Sequence, residues 1–471
     1  MVKKSEVKWT TVTLNDVIER KKRIEATAFN IERRNNLHIL NNSQYEIVNL
    51  TDDIFKFDGC FYGSRAKRNY VEENQDTLGF LGSAEMLDIN PNPVKFVTKN
   101  NPIAKELALQ DKMILISRSG TVGNVTFVNK TLSKYIVSEH AIRLVEKQYQ
   151  GYVYAYLKTD FCNSLMQAEK FGSVILEIEP DSIKKLPIPN APDYMKEKIH
   201  KMIIDSYAMR DESNDLIEKA TEMLISELEL PPLKEIENNT ETFSKEVNSF
   251  SVKLSDMNYR MESSYHVPIV KTIEKYASEK AILHRIGDKE ISNKVILPGR
   301  FKRYYVEQNH GKVFLGGKEI GQLDPSNKKY LSLSKHSDRI KNELIIKENM
   351  ILVTCSGTIG KTVLVPKHWD GWTVNQHVLR VVCDKSIAGY VYLWLHSKYG
   401  HILINRNMYG SVVQELTDKQ MAQVAIPILK DREKINEINE YVLKANSLRY
   451  KAYKLEKEAI KTMNEEVIGI K

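Results

Sequence analysis

Two long segments of the chain carry an apolar seam and lack glycine and proline, and both predict long helices. They are residues 193–230 and 430–466. In each segment apolar side chains recur every seven residues, which places them along one side of a helix. A bulky row lies beside a smaller one in each seam, as expected of two closely packed helices. The bulky rows are Met202, Met209, Leu216, Met223 and Leu230, and then Tyr441, Leu448 and Leu455.

The chain repeats itself once, at a distance of about 237 residues. Residues 113–123 read MILISRSGTVG and residues 350–360 read MILVTCSGTIG, and the same distance separates His140 from His377. Shorter matches lie on either side in the same order, and a tandem match of this length predicts two similar domains. These matches are residues 67–72 with 302–307, 151–154 with 389–392, 172–174 with 410–412, and 188–189 with 426–427.

Inside each copy the pattern changes to short runs rich in isoleucine, valine, leucine and threonine, which predict strands. Other stretches have a spacing near 3.6 and predict amphipathic helices that pack on a sheet. We therefore expect each domain to be a mixed α+β fold. The predicted strands are residues 113–117, 124–128, 350–354 and 362–365, and the predicted helices are residues 151–170 and 389–407.

The two patterns together predict a pseudo-twofold architecture in which two similar domains are separated by two long antiparallel helices. A polar stretch that opens with Pro231 and Pro232 interrupts the helical pattern and is interpreted as a connector. The predicted boundaries are a first domain at 1–192, a helix at 193–230, the connector at 231–250, a second domain at 251–428 and a helix at 429–471.

Composition narrows the class of protein only a little. The 471 residues include 69 Lys and Arg against 61 Asp and Glu, for a net charge of +8, and 42% are hydrophobic. Such a chain has enough apolar material for more than one core and is neither disordered nor fibrous. The positive excess permits binding to a polyanion such as nucleic acid without requiring it.

Four cysteines, none of them in a C-x-x-C pair, offer neither a disulfide framework nor a zinc cluster. No apolar run reaches eighteen residues, and the first ten residues are polar. We therefore expect no membrane contact, no signal peptide and a reduced, cytoplasmic setting.

One segment approaches a nucleotide-binding motif. Residues 355–362 read CSGTIGKT, one residue away from a phosphate-binding loop. That loop needs glycine where Cys355 stands and a helix after Thr362, whereas the following residues predict a strand. The first copy has Asn124 in place of Lys361. We therefore interpret the shared S-G-T-x-G sequence as a tight hairpin turn with glycine at positive φ.

Catalytic and metal-binding patterns are missing from the sequence. His140 and His377 recur between the copies, but neither has a second ligand at metal spacing, and the neighbour Glu139 becomes Gln376. A structural or DNA-contacting histidine fits better. No adenine-methyltransferase motif and no nuclease carboxylate spacing occurs, so we expect no metal, no cofactor and no catalytic residue in this chain.

Basic clusters with interleaved aromatic residues occupy matching positions of the two copies. Residues 65–70 read RAKRNY and residues 300–305 read RFKRYY. Lysine and arginine neutralise phosphates, and arginine also reads base edges. One such cluster is most simply a solvated loop, but its recurrence at matching positions favours a DNA-binding role.

These motifs, in this order and occurring twice, resemble the DNA sequence specificity subunit of type I restriction-modification systems. The resemblance covers nearly the whole chain. It rests on the S-G-T-x-G turns between strands, on residues 138–143 (SEHAIR) with 375–380 (NQHVLR), and on the Gly-Ser-Val sequences. Each Gly-Ser-Val is followed by an Ile-Pro pair and a long helix.

The resemblance implies that each globular domain is a target recognition domain reading one half of a bipartite site in double-stranded DNA. It implies that the helices space the domains and dock two methyltransferase subunits. Adenine methylation with S-adenosylmethionine, and restriction with ATP and Mg, would then belong to the methyltransferase and the restriction/translocase partners. On this reading the helix residues Met202, Met209, Leu216, Met223, Tyr441, Leu448 and Leu455 bind partners.

We hypothesise that the basic clusters engage phosphates and groove edges and that the S-G-T-x-G turns lie nearby. The second copy has Cys355 where the first has Arg118, so a DNA contact by Arg118 does not carry over. Residues 30–49, rich in asparagine, lack an evident counterpart in copy two. A helical scaffold without DNA specificity and a nucleotide-dependent enzyme remain alternatives. The candidate DNA-binding residues are Arg65, Lys67, Arg68, Tyr70, Arg118, Ser119, Thr121, His140, Arg300, Lys302, Arg303, Tyr305, Ser356, Thr358 and His377.

Overall fold

A computed structural model describes most of the chain. The predicted connector is described only in part, and Ser411, which belongs to the second Gly-Ser-Val sequence, lies outside the described residues, as do residues 1–10. The described residues are 11–19, 22, 24, 29–65, 67–238, 240, 249–257, 259–410 and 412–470.

The chain folds into two compact units. Unit 1 comprises Met1–Asp211 together with Lys451–Lys471, and unit 2 comprises Glu212–Tyr450. Each unit contains one copy of the sequence repeat and a part of each long helix. Both units mix helices with sheets, as the sequence predicts.

Unit 1 is built from six short helices and nine strands among its described residues, besides the long helices. Its helices are α1 (Leu14–Glu19), α2 (Ile31–Asn41), α3 (Pro102–Glu106), α4 (Gln150–Lys158), α5 (Asp160–Ala168) and α6 (Pro180–Lys184). Its strands are β1 (Ile47–Asn49), β2 (Phe57–Phe61), β3 (Thr77–Leu81), β4 (Phe96–Thr98), β5 (Ile114–Ser117), β6 (Val125–Phe127), β7 (Ile136–Val137), β8 (Ala141–Glu146) and β9 (Pro187–Pro189).

The strands of unit 1 form three small sheets. A four-stranded antiparallel sheet has the order β2-β8-β5-β6, a three-stranded sheet has the order β4-β3-β7, and β1 pairs with β9. Strands β3 and β7 are parallel. The central strand β5 is buried along its whole length, which explains why its sequence is continuously apolar instead of alternating.

The predicted helix at 151–170 is in fact two helices. Thr159 adopts an extended conformation between α4 and α5, and its hydroxyl accepts a hydrogen bond from the Cys162 backbone N–H at 3.0 Å. Thr159 therefore ends one helix and caps the next. Helix α4 is buried on nearly all sides and is not amphipathic.

Unit 2 repeats this plan with one additional strand. Its helices are α8 (Leu233–Asn238), α9 (Pro268–Lys280), α10 (Leu333–Arg339), α11 (Lys385–His396), α12 (Lys398–Arg406) and α13 (Asp418–Ala422). Its strands are β10 (Ala281–Arg285), β11 (Lys294–Ile296), β12 (Tyr305–Val306), β13 (Gly311–Leu315), β14 (Lys329–Ser332), β15 (Ile351–Thr354), β16 (Thr362–Leu364), β17 (Thr373–Val374), β18 (Val378–Val382) and β19 (Ala425–Leu429).

The sheets of unit 2 have the same strand order as those of unit 1, apart from the additional strand. The orders are β11-β18-β15-β16 and β12-β14-β13-β17, and β10 pairs with β19. The additional edge strand β12 takes the place of a single bridge between Val71 and Phe96 in unit 1. Here too the predicted helix at 389–407 is split, by Ser397, into α11 and α12.

The chain outside the sheets has two features that the sequence patterns did not reveal. The asparagine-rich stretch does have a structural counterpart, because α2 and β1 in unit 1 correspond to α9 and β10 in unit 2, each ending in a strand paired antiparallel with the last strand of the domain. The predicted connector contains helix α8, in which Ile236 is fully buried. The carbonyl of Pro231 also accepts a hydrogen bond from the Tyr399 hydroxyl at 2.7 Å.

The two long helices are present and pair antiparallel. Helix α7 spans Asp193–Glu227, and α14 spans Arg432–Thr462 and ends in a π-helical turn at Met463–Ile468. Within unit 1, the Ser206 hydroxyl donates to the Ala452 carbonyl at 2.8 Å. Within unit 2, Lys219 donates to the Tyr441 hydroxyl at 2.7 Å. Later residues of α7 therefore contact earlier residues of α14, as in an antiparallel pair.

The bulky rows do not form the centre of the helical seam. Met202, Met209, Leu216 and Met223 are half-buried, whereas the fully buried rows lie one position along and include small residues. The hydrogen bond from the Ser206 side chain to a backbone carbonyl of the other helix requires the two helices to lie close together. Small side chains therefore occupy the centre of the seam between the helices, and bulky side chains lie at its flank. The buried rows are Ile199, Ile203, Ser206, Arg210, Ser213, Ile217, Ala220 and Leu224, and Ile435, Ile438, Val442, Ala445, Arg449, Ala452, Glu456 and Ala459.

Candidate nucleic-acid interface

The S-G-T-x-G sequences lie in strand-to-strand hairpin turns in both units, as predicted, but each turn spans seven residues and is wider than the tight turn expected. Strand β5 pairs with β6, and β15 with β16, on either side of the turn. Gly120 and Gly357 have φ of 76° and 79°, a region that favours glycine. The segment after Thr362 is strand β16 instead of a helix, which removes the structural basis of a phosphate-binding loop.

In unit 1 the basic cluster is held by carboxylates that lie beside the turn. Arg65 is exposed and forms an ion pair with Glu177 at 3.4 Å, and Arg68 forms an ion pair with Glu139. Lys67 is exposed. The side chain of Arg65 remains 67% accessible, so most of its donors still face solvent.

Arg118 is buried instead of being displayed for DNA. Its side chain is 7% accessible and forms ion pairs with Glu177 at 2.9 Å and Glu179 at 2.7 Å. Its guanidinium also stacks on the Tyr62 ring at 4.2 Å. Arg118 therefore positions the neighbouring loop, and it shares Glu177 with the exposed Arg65.

Unit 2 arranges the corresponding residues in the same way. Arg300 forms an ion pair with Glu415 at 3.2 Å, and Arg303 donates to Gln376 at 2.8 Å. Lys302 is exposed. Cys355, in the place of Arg118, is buried, and burial followed by the negative charge of Glu415 raises the pKa of its thiol to about 12. It is a packing residue and not a nucleophile.

The aromatic residues of the clusters form a repeated arrangement of rings and cations. Arg68 lies over the Phe80 ring at 4.7 Å, and Tyr70 meets the same ring edge-on at 5.8 Å. In unit 2, Arg303 lies over Phe314 at 5.6 Å, and Tyr305 is 6.2 Å from that ring. These contacts fix Arg68 and Arg303 as cation–π partners of a core ring.

The tyrosines themselves remain exposed at the surface. Tyr70 and Tyr305 are 43% and 46% accessible. A lysine caps each ring, with Lys95 at 5.1 Å from Tyr70 and Lys329 at 5.7 Å from Tyr305. Both units therefore present an exposed aromatic ring beside two or more positive charges.

The two histidines lie at the base of the turns and are half-buried. His140 is hydrogen-bonded through Nδ1 to the Ser119 hydroxyl at 2.6 Å, and the His140 carbonyl accepts from the Arg118 N–H. In unit 2 the His377 carbonyl accepts from the Cys355 N–H. Burial, and then the positive charges of Arg303 and Arg300, lower the pKa of His377, so the second basic cluster faces this ring.

The turn residues differ in exposure. Thr121, Gly120 and Thr358 are exposed, Ser356 is half-buried and Ser119 is buried. The structure thus brings the candidate residues of each unit together around one turn. It leaves Arg118 and Ser119 beneath the surface and the threonines, Arg65, Lys67, Arg300 and Lys302 on it.

Sequence reasoning missed the acidic residues that organise each face. Glu177 and Glu415 close short hairpin loops and each contacts the arginine cluster of its own unit. They lie five residues after the glycine of the two Gly-Ser-Val matches. The repeat therefore contained the signal, but only basic and aromatic positions were sought in it.

Arg143 and Arg380 are fully buried and belong to the fold and not to the surface. Arg143 donates to the carbonyls of Ala141, Leu107 and Val137, and Arg380 donates to three carbonyls at the matching positions. Burial lowers the pKa of Arg143 to about 10 and that of Arg380 to about 9. Each arginine joins its central sheet to the neighbouring strands.

The candidate partner-binding residues lie along the long helices, mostly on the flank of the buried seam. Tyr441 and Leu455 are half-buried, as is the row from Met202 to Met223, while Leu448 is 8% accessible. In the part of the chain that the structure describes, no group of three or more histidine, cysteine or acidic side chains could hold a metal ion. Within the same residues, no helix has the length and apolarity required to cross a membrane.

Comparison with known proteins supports the specificity-subunit prediction. Residues 303–456 match the family model described as "Type I restriction modification DNA specificity domain". This match covers about a third of the chain, in the second copy of the repeat and the last long helix. The specificity subunit predicted from the sequence is thus confirmed, and in a type I restriction-modification system it is the non-catalytic component. None of the curated proteins compared with the chain matches it.

Solved structures of the same class are similar over most of this specificity subunit. The S subunit of a type I restriction-modification system from M. genitalium is 12% identical, with coverage of 91% of this chain and 96% of that chain and a TM-score of 0.31. The HsdS subunit from Thermoanaerobacter tengcongensis is 12% identical, with coverage of 90% and 97% and a TM-score of 0.27. Because these TM-scores are below 0.5, the assignment rests on the family model.

Proposed function

We propose that each unit of this specificity subunit reads one half of a bipartite site in double-stranded DNA. The contact surface is the face around its S-G-T-x-G turn. One observation supports this most strongly. Both units display an exposed arginine, lysine, tyrosine and threonine at matching positions, organised by a matching glutamate. A solvated surface has no reason to repeat such an arrangement residue by residue.

The charges of this face suit a contact with phosphates. Arg65 and Arg300 are 67% and 79% accessible and each uses part of its donor set on a glutamate. An exposed ion pair of this kind contributes little to stability, so a phosphate can compete for the guanidinium at small cost. Lys67 and Lys302 add a flexible charge beside each arginine. Tyr70 and Tyr305 add an exposed ring that can pack on sugar or bases.

We assign to the long helices the docking of two methyltransferase subunits. The half-buried row of Met202, Met209, Leu216 and Met223 supports this, because methionine is frequent at adaptable binding surfaces. Adenine methylation with S-adenosylmethionine, and ATP- and Mg-dependent restriction, would then reside in the partner subunits. This chain would supply the recognition of the DNA sequence.

Helix length supports a role for α7 in setting the distance between the half-sites. Its 35 residues extend about 52 Å at 1.5 Å per residue. One turn of DNA is roughly 34 Å, so half-sites about a turn apart fit a helix of this length. The base pairs between them would remain unread.

The salt dependence of DNA binding tests the assignment of the basic faces. We expect the double variants Arg65→Ala/Lys67→Ala and Arg300→Ala/Lys302→Ala to weaken binding. Each should reduce the slope of log K against log salt by about 2, since each neutralised phosphate contributes roughly 0.9. Lys234→Ala/Lys275→Ala, which removes two exposed lysines from α8 and α9, is the matched control. Unchanged affinity and slope in both double variants would contradict the proposal.

A further inference from the structure

A short apolar loop projects from each unit beside its proposed DNA face. In unit 1 the loop spans residues 171–177, and in unit 2 it spans residues 409–415, of which Ser411 is outside the described part. The backbone groups of Phe171 and Glu177 exchange both hydrogen bonds, at 3.0 and 2.9 Å, and those of Tyr409 and Glu415 do so at 3.0 and 2.8 Å. We call these two segments the apolar loops.

The tips of the apolar loops are unusually exposed for their chemistry. Val174 and Ile175 are 92% and 63% accessible, and Val412 and Val413 are 94% and 57% accessible. Single exposed apolar residues are common, but adjacent β-branched pairs at the tip of the same loop in both units form a repeated feature. Because no residue that the structure describes covers them, a folding role does not account for their presence.

Both loops are held in a defined shape. Gly172 and Gly410 have φ of 110° and 100°, and a Cβ atom at either would lie 2.3 or 2.4 Å from a carbonyl oxygen across the loop. Only glycine allows this close approach. The apolar tip therefore belongs to a constrained loop. Because of this constraint, the loop loses little conformational entropy on binding.

Each apolar loop is joined to the basic face of its own unit. Glu177, at the base of the first loop, forms ion pairs with Arg65 and Arg118, and Glu415 forms one with Arg300. The residue that follows each loop bonds to the first residue of the turn, from the Ile178 N–H to the Arg118 carbonyl at 3.0 Å and from the Leu416 N–H to the Cys355 carbonyl at 2.9 Å. Loop, turn and arginine form one continuous surface.

From this arrangement we infer that the apolar loops contact base edges in the major groove of DNA. Val174 and Ile175 would read one half-site, and Val412 and Val413 the other. The arginine beside each loop would hold the phosphates that flank the groove. The C5-methyl of thymine is the apolar group that the major groove offers, so it is the expected partner of these side chains. This inference rests on the proposed function and adds its specificity-determining residues.

The test is a reciprocal pair of full-length variants, Val174→Ser/Ile175→Ser and Val412→Ser/Val413→Ser. The probe is the duplex that the wild-type chain selects from a random-sequence pool. Each variant is expected to bind this duplex roughly fivefold to thirtyfold more weakly, the lower part of the range for losing one base pair of recognition. Its salt slope should stay unchanged, because no charge is lost. Selection repeated with each variant should lose sequence preference in one half-site only, a different half for each variant.

Thymine itself can be tested in the same duplex. Replacing thymine by deoxyuridine in the affected half-site removes the C5-methyl and should weaken the wild type but not the corresponding variant. The inference is overturned by unchanged affinity in both variants, by equal loss of binding to a random duplex, or by selected half-sites that contain no thymine. Failure of the wild-type chain to select any duplex would instead contradict the proposed function. Unchanged melting temperatures, expected at such exposed positions, exclude misfolding as the cause.

Discussion

The two units of the molecule share one surface design and differ in what lies beneath it. On the surface, Arg65 and Arg300 bind Glu177 and Glu415 in the same geometry. Beneath it, the buried Arg118 with its two carboxylates in unit 1 becomes Cys355 in unit 2. A binding role explains retention of the surface, whereas the interior needs only to fill its volume and satisfy its charges.

The long helices show a second difference of the same kind. In unit 1, Arg210 forms a buried ion pair with Glu456 at 2.6 Å, and the Tyr154 hydroxyl donates to the same carboxylate. In unit 2, Arg449 donates to the neutral oxygens of Ser213 and Asn214 at 3.3 and 3.2 Å. The same helical pairing is thus secured by an ion pair in one unit and by an arginine hydrogen-bonded to neutral oxygens in the other.

The largest expected effect comes from breaking this buried ion pair. Glu456→Gln leaves the positive charge of Arg210 buried beside a neutral amide and is expected to destabilise the protein by about 3 to 5 kcal/mol. Arg449→Met in unit 2 removes hydrogen bonds to neutral groups and should cost about 1 to 2 kcal/mol. Urea denaturation of the full chain measures both. Equal losses would show that the two networks do not differ in kind.

The next largest loss of stability is expected from replacing the buried arginine that the two units share. Arg143→Met and Arg380→Met each leave three buried carbonyls without their guanidinium donor, and each should cost about 3 kcal/mol. Because the surroundings match, the two losses should agree within about 1 kcal/mol. Arg65→Met, at an exposed ion pair, is the control and should change stability by less than about 0.5 kcal/mol. A loss in only one unit would break the structural equivalence.

The buried arginines show which structural features can be predicted from the sequence and which cannot. Arg143 and Arg380 stood out as matched positions, but a single sequence does not say whether a repeated arginine faces solvent or the core. The strands and hairpin turns were predictable because short apolar runs and paired glycines determine them locally. The pairing of a bulky row with a smaller row along residues 193–230 was predictable from the seven-residue spacing, but only the close approach at Ser206 decides which row is central.

A third prediction concerns a buried carboxyl that unit 2 lacks. Glu146 is 3% accessible, neither of its carboxylate oxygens has a hydrogen-bond partner among the described residues, and burial raises its pKa to about 9. Cys383 takes its place in unit 2. An unfolded glutamate ionises near pH 4.3, so the folded state holds a proton that the unfolded state has lost between that pH and about 9. Stability should therefore fall as pH rises through this window.

Replacing this carboxyl by a neutral group should remove the pH dependence. We expect Glu146→Gln to be more stable than the wild type by about 4 to 5 kcal/mol at pH 8 and nearly equal to it at pH 4.5. Thermal unfolding at the two pH values measures the difference. Cys383→Ser should show no such trend between these pH values. A constant gap between Glu146→Gln and the wild type would contradict the role of the buried carboxyl.

The smallest loss of stability is expected from replacing the buried Arg118 of unit 1 by cysteine, the residue at the matching position of unit 2. Arg118→Cys is expected to cost about 1 to 2 kcal/mol, because Glu177 and Glu179 lose a shared partner. Thr417 stands in unit 2 where Glu179 stands in unit 1. Adding Glu179→Thr should therefore recover about half of the loss, and a double-mutant cycle measures this coupling. Strict additivity of the two changes would show that the residues do not act as a pair.

The central claim is that the two units read two separate half-sites. Selection of duplexes by the full chain from a random-sequence pool tests it directly. We expect one bipartite sequence whose two parts lie about a DNA turn apart with unread base pairs between them. Deleting seven residues from each long helix should shorten this gap by roughly three base pairs, since seven residues span about 10 Å. A single continuous sequence, or no enrichment at all, would contradict the account.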